Sequence, residues 1–300
     1  NLIRMTRVAE VIWISHHQQK IELELGRFFK EKDRSLLRDV CEYAVLNGGK
    51  RLRALLIYAI GDNNKNPDKY LNGLAVAVEL VHAYSLIHDD LPSMDNDDLR
   101  RGKPSSHIKF SEAQAILAGD TLQSLAFELL SSEQFNVGDK IKIKVLNILS
   151  QSIGLNGMAL GQSIDIESAE KELNLKSLEL LQRLKTGALI EASCIMSYIV
   201  SDNYNQKYET DIASIGRLIG KIYQITDDIL DFESDTKTLG KTAGKDAKNK
   251  KPTYVSLMGL TEAKRIKAAL FSTLLKEIED FPSDLSALNN LVNYIYKRIH

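Results

Sequence analysis

Apolar residues recur along this chain mainly at the three- and four-residue spacing that places them on one face of a helix. Glycine, asparagine and proline residues separate the apolar stretches, and only five prolines occur in 300 residues. The spacing predicts helices over residues 6–30, 34–47, 51–61, 70–90, 111–131, 138–154, 157–167, 175–200, 208–232, 253–258, 261–279 and 284–298. Because no linker rich in proline, serine or glycine divides the chain, we expect residues 1–300 to form a single all-α domain.

Two aspartate clusters each close a long apolar segment. Residues 74–87 lead into the motif DDLPSMD at 89–95, and residues 212–226 lead into the motif DDILD at 227–231. Each cluster is therefore expected near a helix C-terminus, where the helix dipole disfavours negative charge. Bound Mg²⁺, which prefers carboxylate oxygens, would relieve this repulsion. The alternative is two solvated acidic helix ends, but two clusters of similar design favour paired Mg²⁺ sites facing a shared anionic ligand.

The two clusters differ in their predicted geometry. Asp227 and Asp231 are four residues apart and share a helix face, with Gln224 one turn earlier on that side. In an unbroken helix the side chain of Asp95 would be rotated from that of Asp89 by about 240° around the helix axis, so the two would lie on different faces. A proline lies between them and cannot continue a regular helix without a kink. We therefore expect the helix to bend or end there, which would bring Asp95 back beside Asp89.

Basic residues also occur in clusters, at positions where they could bind an anion. Arg100 and Arg101 come directly after two aspartates, and arginine matches phosphate oxygens in two-point contacts. The segment 48–53, of sequence GGKRLR, places positive charge at a helix N-terminus, where backbone amides already attract anions. The alternatives are neutralisation of the neighbouring aspartates for the arginine pair and a surface salt-bridge patch for 48–53.

Three further features are weaker signals. His82 lies two turns before Asp89 on nearly the same face, although a lone histidine on an apolar helix is more often structural. Residues 185–187, of sequence KTG, interrupt a helical stretch and could expose polar groups to a pocket. The lysine-rich segment 234–251 is either a surface loop or a basic lid that orders over an anion.

Composition and motifs exclude several classes of protein. The formal net charge of −1 gives no support to a nucleic-acid-binding role, and the two distant cysteines cannot form a disulfide framework. No segment has the pattern of a membrane span or a leader, so we expect a cytoplasmic protein. Zinc-type histidine spacing, nucleophile-elbow, Walker and dinucleotide-binding motifs do not occur. Metal sites, phosphate sites and an apolar interior suit a hydrocarbon substrate with a diphosphate leaving group.

Four motifs together resemble the trans-isoprenyl diphosphate synthases, a family of prenyltransferases. These motifs are GKRLR at 49–53, DDxxxxD at 89–95, RRGKP at 100–104 and DDILD at 227–231. The four-residue spacer in the first aspartate motif and YSLIH at 84–88 resemble the bacterial members that make a fifteen-carbon, farnesyl product. The resemblance implies an all-α orthogonal helix bundle around a central active-site cavity, a homodimer, and three Mg²⁺ ions per site.

The resemblance also implies roles for individual residues. Metal ligands on the allylic diphosphate would be Asp89, Asp95 and Asp227, supported by Asp90, Asp228 and Asp231 of the same motifs. Contacts to that diphosphate would come from Arg100, Lys185 and Lys241, with Lys251 closing over the site. The diphosphate of isopentenyl diphosphate would contact Lys50, Arg53, His82 and Arg101. The allylic cation formed from dimethylallyl or geranyl diphosphate would lie against Thr186 and Gln224. Product length would be set by Tyr84 and Ser85.

Three alternatives to a farnesyl-length synthase remain. A terpene cyclase binds one diphosphate substrate and would not need Lys50, Arg53 and His82 together. A non-catalytic regulatory subunit would not need both aspartate clusters. A synthase with a twenty-carbon, geranylgeranyl product shares every motif and differs in the depth of its hydrocarbon pocket. Ala54, where the family often has proline, and the lysine-rich stretch before Lys251 are small departures from the family pattern.

Overall fold

The computed structural model describes residues 2–62, 67–168, 173–238 and 252–297, and most of them are helical. The α-helices are α1 Leu2–Lys30, α2 Leu36–Val45, α3 Leu52–Gly61, α4 Asp68–Asp89, α5 Ser106–Lys109, α6 Glu112–Ser131, α7 Asp139–Ile153, α8 Met158–Ser168, α9 Leu175–Gln182, α10 Ala188–Ile199, α11 Glu209–Thr238, α12 Tyr254–Met258, α13 Leu260–Asp280 and α14 Ser286–Tyr296. The all-α prediction is confirmed, and most predicted ends lie within two residues of the observed ones.

Side-chain caps explain where several of these helices begin. Ser35 accepts a hydrogen bond from the amide of Arg38, which starts α2, and Ser111 does the same for the start of α6. At α12, Thr253 and Ser256 form a reciprocal capping box. These caps satisfy amides that have no partner inside the helix.

The structure adds elements that apolar spacing did not predict, including the short helix α5. A short antiparallel pair joins β1 Leu99–Arg100 to β2 Lys103–Pro104, with Leu99 opposite Pro104. The two central residues of this turn need positive φ values, and Arg101 and Gly102 have φ values of 54° and 75°. The predicted helix 175–200 is also divided, because a π-helical turn at Arg183–Gly187 separates α9 from α10. The expected interruption at 185–187 is therefore confirmed.

The chain divides into two compact units by its contacts. The first comprises Asn1–Asn147 and Met196–Tyr204, and the second comprises Ile148–Ile195 and Asn205–His300. The expectation of a single domain stays a prediction.

In the first unit α4 is the central helix and packs against α6, α3, α2 and α1. It is long and apolar enough to cross a membrane, but 61% of its apolar window is buried inside the protein. Tyr58, Leu71, Leu74 and Leu80 are among the fully buried side chains of this core. The C-terminal end of α4 carries the first aspartate motif, so the core fixes the position of that motif.

In the second unit α11 packs against α13, the π-helical turn, α12 and α14. A buried cluster of Leu178, Ile225, Ile229, Tyr254 and Val255 joins α9, α11 and α12. Two of its members, Ile225 and Ile229, lie on either side of Asp227 and Asp228 on α11. The apolar residues that pack α11 against α9 and α12 therefore also fix the position of the second aspartate motif.

Candidate active site

The first aspartate motif forms a turn that folds back on the end of α4. The helix ends at Asp89, and the amide of Asp95 then donates to the carbonyl oxygen of Asp89 at 2.9 Å. The amide of Asp97 likewise donates to the carbonyl of Asp90 at 3.2 Å. The prediction that the helix break returns Asp95 to Asp89 is confirmed for the backbone. Asp89 is buried and Asp95 is exposed, so the turn has an inner and an outer carboxylate.

Arg100 binds Asp90 through two of its guanidinium nitrogens, one of them Nε at 3.0 Å from Oδ1. Burial raises the pKa of the Asp90 carboxyl, and the bonds to Arg100 oppose that rise. The same bonds raise the pKa of Arg100. In this structure Arg100 thus neutralises an aspartate, which was one of its two predicted roles. Its contact with a diphosphate stays a prediction.

Several cationic side chains converge in the first unit. The guanidinium of Arg101 lies directly against Gly49, where a Cβ would come within 2.6 Å of its central carbon. Burial lowers the pKa of Arg101, and the charge of Arg51 lowers it further. Burial also holds the pKa of His82 well below its ordinary value, and the charges of Arg53, Arg101, Arg51 and Arg100 add to that effect. His82 is therefore a neutral imidazole at pH 7 beside a cluster of positive charge.

Lys50 and Arg53, which we expected near His82, frame the start of α3. Lys50 is exposed, and Arg53 is partly buried. The charge of Arg53 lowers the pKa of His82, so these two side chains lie near one another, and their contact with a diphosphate stays a prediction. Two residues with no assigned role, Arg51 and Glu79, form a buried ion pair at the same point. Glu79 could have been noticed in the sequence, because it is the only acidic residue within the apolar stretch 74–87.

The second aspartate motif lies on α11. Asp228 accepts the amide hydrogen of Tyr254 at 2.8 Å and that of the Gln182 side chain at 3.4 Å. Burial raises the pKa of Asp228, and these two hydrogen bonds oppose the rise. Asp228 therefore holds the start of α12, whereas Asp227 is half-buried and Asp231 is exposed. The predicted division between a ligand and its supporting neighbours is consistent with these surroundings.

Gln224 lies one turn before Asp227 and lines a cavity of about 540 Å³ inside the second unit. The residues that share this cavity include basic and apolar side chains from α9, the π-helical turn, α11, α12 and α13: Lys176, Leu180, Arg183, Leu218, Lys221, Tyr254 and Leu270. Thr186 and Asp227 are not among the lining residues of this cavity, and the role of Gln224 beside the allylic cation stays a prediction.

The π-helical turn carries Lys185 and Thr186, and both side chains are half-buried. The ammonium of Lys185 binds the carboxylate of Asp165 on α8 at 2.7 Å. Gly161, one turn before Asp165, lies so close to Lys185 that a Cβ would collide with the Lys185 backbone. In the sequence, Gly161 and Gln162 ahead of Asp165 are only a weak signal, which helix packing alone would explain. Lys241 and Lys251 lie outside the described residues, as does most of segment 234–251.

Tyr84 and Ser85 occupy the last turns of α4. Tyr84 is half-buried, its hydroxyl forms a hydrogen bond with the side chain of Gln123, and its ring meets that of His88 edge-on at 6.0 Å. Burial raises the pKa of the Tyr84 hydroxyl to about 12. The hydroxyl of Ser85 donates to the carbonyl oxygen of His82 at 2.8 Å, so it is satisfied within its own helix. Both residues are placed on the helix that enters the aspartate motif, and their effect on product length stays a prediction.

No group of three or more histidine, cysteine, aspartate or glutamate side chains among the described residues forms a ready metal site. Each aspartate motif nevertheless offers only oxygen donors, which is the chemistry that Mg²⁺ prefers. Mg²⁺ usually keeps several waters and binds through one or two carboxylates together with substrate phosphates. A pair such as Asp89 and Asp95 fits that mode, because the remaining ligands would come from a diphosphate and from water.

Comparison with known proteins gives one consistent result. Residues 34–293 match the polyprenyl synthetase family. A relative, the farnesyl diphosphate synthase of Haemophilus influenzae, is 41% identical over 291 residues, covering 95% of this chain and 98% of the relative. A solved geranyltransferase from Legionella pneumophila is 32% identical with a TM-score of 0.85, covering 99% of both chains. A geranyltransferase from Helicobacter pylori, complexed with magnesium and isoprenyl diphosphate, is 32% identical with a TM-score of 0.77, covering 94% of this chain and 98% of that one. The predicted all-α isoprenoid synthase fold is confirmed.

Proposed function

This chain belongs to the polyprenyl synthetase family, and on that premise we propose that it is a farnesyl diphosphate-forming prenyltransferase. It joins isopentenyl diphosphate head-to-tail, in a 1'-4 linkage, first to dimethylallyl diphosphate and then to geranyl diphosphate. The products are (2E,6E)-farnesyl diphosphate and diphosphate. The H. influenzae relative, which matches 95% of this chain, is named farnesyl diphosphate synthase. The four motifs that support the proposal are all present in the chain.

One observation carries the proposal beyond the family likeness. His82 lies near Arg53 and Arg101, whose charges lower its pKa, whereas the neighbouring Arg51 and Arg100 already pair with carboxylates. An anion bound among His82, Arg53 and Arg101 would offset the repulsion between the two positive charges. Isopentenyl diphosphate supplies that anion. We assign its diphosphate to Lys50, Arg53, His82 and Arg101.

The allylic substrate is assigned to the aspartate motifs and their basic neighbours. Asp89, Asp95 and Asp227 would hold Mg²⁺, three ions per site by family likeness, and the H. pylori structure supports the metal because it contains magnesium with an isoprenyl diphosphate. Bound Mg²⁺ would neutralise charge on the diphosphate oxygens. Arg100 and Lys185, now paired with Asp90 and Asp165, would turn to the diphosphate when it binds. Lys241 and Lys251 are assigned to the same anion.

The reaction needs charge stabilisation and shielding more than it needs a protein nucleophile. The bond between the allylic carbon and the diphosphate oxygen breaks, and the basic side chains stabilise the charge that grows on the leaving group. The double bond of isopentenyl diphosphate then attacks the allylic carbon. A proton leaves the adjacent carbon, with the departed diphosphate as its acceptor, and a new double bond forms. Thr186 and Gln224 contribute oxygen atoms that stabilise the allylic cation, and closure of the lysine-rich segment would exclude water.

A single incubation tests this proposal. The purified protein is mixed with Mg²⁺, isopentenyl diphosphate and either dimethylallyl or geranyl diphosphate, and the dephosphorylated products are separated by chromatography. We expect farnesol from both allylic substrates and no product without Mg²⁺. A cyclic hydrocarbon would indicate a terpene cyclase, geranylgeraniol would indicate a twenty-carbon synthase, and the absence of product would indicate a non-catalytic subunit. We also propose a homodimer, to be measured by light scattering after size-exclusion chromatography.

A further inference from the structure

The turn before α3 has an unusual backbone. Gly48 and Gly49 have φ values of 80° and 129°, and Arg51 has a φ of 52°. Three of four consecutive residues are therefore in a region that side chains other than glycine rarely adopt. For Arg51 this conformation is strained, and it persists only where surrounding structure holds it. The turn carries Lys50 and precedes Arg53, so whatever holds it also positions those two side chains.

The side chain of Arg51 holds the turn through three different partners. Its Nε donates to Glu22 of α1 at 2.7 Å, and Nη1 donates to Glu79 of α4 at 3.0 Å. Nη2 donates to the carbonyl oxygen of Val45, at the end of α2, at 2.6 Å. The Arg51 side chain is 3% exposed and that of Glu79 is 2% exposed. The planar guanidinium fork thus ties three helices to the residue whose backbone is strained.

Glu79 has a second contact, with the first turn of α3. Arg51 is the residue that precedes this helix, and it provides no side-chain acceptor for the free amides there. The carboxylate of Glu79 accepts a hydrogen bond from one of these amides, that of Ala54, at 3.4 Å. A carboxylate at a helix N-terminus also interacts favourably with the dipole. A residue from α4 therefore replaces the missing cap of α3, and Arg51 neutralises its charge.

Helix α1 holds the same turn from the other side. Gln18 donates to the carbonyl oxygen of Lys50 at 3.1 Å, and Glu22, one turn later, binds Arg51. Both residues precede residue 34, where the match to the family model begins. The contacts from α1 are thus a property of this chain that the family match does not supply.

We infer that Glu22, Arg51 and Glu79 are positioning residues for isopentenyl diphosphate, because they fix the strained turn that presents Lys50 and Arg53. Gln18 supports the same turn through the backbone of Lys50. This inference rests on the proposed function for the identity of the ligand. The contacts by which α1 holds the turn do not depend on the proposed function.

Glu22 offers the sharpest test, since its side chain is 38% exposed and its replacement leaves no buried charge unpaired. Arg51 would still bind Glu79 in Glu22→Gln. We expect KM for isopentenyl diphosphate to rise roughly three- to tenfold, and the double variant Gln18→Ala/Glu22→Gln to raise it further. KM for geranyl diphosphate and the melting temperature should change little. Glu24→Gln is the matched control, because Glu24 lies on the same helix and forms an ion pair within it, with Arg27.

Arg51→Lys provides a second test at the centre of the cluster. Lysine keeps the charge but lacks the planar fork, so it cannot serve Glu22, Glu79 and Val45 together. We expect a rise in KM for isopentenyl diphosphate larger than that of Glu22→Gln. If this variant does not fold, because a buried pair has been disturbed, the Glu22 and Gln18 variants decide the question alone.

Hydrogen exchange gives a readout that does not require activity. The amides of residues 48–54 should exchange faster in Glu22→Gln and in the double variant, and should be unchanged in Glu24→Gln. Equal rises in KM for both substrates, or unchanged KM and unchanged exchange, would overturn the inference. Absence of prenyl transfer in the unsubstituted protein would overturn the proposed function instead. In that case the exchange measurement still decides whether α1 holds the turn.

Discussion

Neighbouring aspartates in the first motif have different surroundings. Asp90 is buried and bound to Arg100, whereas Asp95 lies exposed on the returning turn. Asp228 in the second motif likewise serves the protein itself, since it caps α12 through the amide of Tyr254. The residues assigned to Mg²⁺ are Asp89, Asp95 and Asp227, whereas Asp231 is assigned a supporting role. The two kinds of aspartate should therefore respond differently to substitution.

Asp89→Asn and Asp227→Asn should each lower turnover at least about a hundredfold, because loss of a metal contact removes several kcal/mol of charge stabilisation and each 1.4 kcal/mol is tenfold in rate. Steady-state assays at saturating substrates and Mg²⁺ check this, and EDTA should abolish the activity of the unsubstituted protein. Asp139→Asn, in the first turn of α7, is the control for a change of net charge. Turnover near normal in either motif variant would contradict the metal assignment.

Tyr84→Ala should shift the product from fifteen carbons to twenty and longer. The ring is half-buried near the end of α4, and its removal would deepen the hydrocarbon pocket. Tyr84→Phe is the matched control: it removes the hydrogen bond with Gln123 but keeps the ring, so it should still give a fifteen-carbon product. Product chromatography with geranyl diphosphate distinguishes the two variants. If an active Tyr84→Ala released only farnesyl product, another residue would set the length.

At the scale of helices, close approach of backbones shapes the surroundings of Lys185. The π-helical turn at Arg183–Gly187 contacts α8 at Gly161 and α11 at Gly220. A π-helical turn inserts one residue into a helix and changes the direction of the side chains that follow. The pairing of Lys185 with Asp165 depends on that packing, because α8 must lie close enough for the two side chains to meet.

Gly161→Ala should therefore destabilise the protein by about 1 to 3 kcal/mol, since the added methyl group meets the Lys185 backbone, which cannot move aside as a flexible side chain would. Chemical denaturation measures the change in the free energy of unfolding. Gly26→Ala on α1 is the matched control, because no atom lies within 4 Å of its added Cβ. Alanine is the better helix former, so this control should gain up to about 1 kcal/mol. Equal effects of the two substitutions would show that α8 yields to the added methyl group.

At the scale of the whole molecule, one buried cysteine lies in each compact unit: Cys41 in the first and Cys194 in the second. Burial raises the pKa of the Cys41 thiol to about 12, and it raises the pKa of Cys194 as well. At pH 8 both side chains are therefore protonated thiols shielded from reagents, and neither should react while the protein is folded. Each thiol reports on the opening of its own unit.

Thiol labelling at increasing urea concentrations should give the same midpoint in Cys41→Ser and Cys194→Ser, if residues 1–300 unfold as the single domain that we expect. Each variant retains one reporter, and the variants' own stabilities are compared by circular dichroism under the same conditions. Rapid labelling in the absence of urea would contradict the burial of the thiol. Midpoints that differ after correction for stability would show that the two units unfold separately.

The sequence by itself determined the class of fold, most helix boundaries, both aspartate motifs and the break in the first of them. These depend on local properties: apolar spacing, breaks at glycine and asparagine, and the inability of proline to continue a helix. It also indicated the irregularity at 185–187, because a glycine there weakens the helix locally. The family likeness then supplied the roles of individual residues.

Only the tertiary structure decided which charged side chains are paired with one another. Arg51 with Glu79 and Glu22, Lys185 with Asp165, and Asp228 with the start of α12 all join residues distant in the chain. Local spacing contains no information about such partners, since they meet through the packing of separate helices. The strained conformation of the turn at 48–51 could not be predicted for the same reason. Arg51 keeps a positive φ only because residues of α1, α2 and α4 bind its side chain.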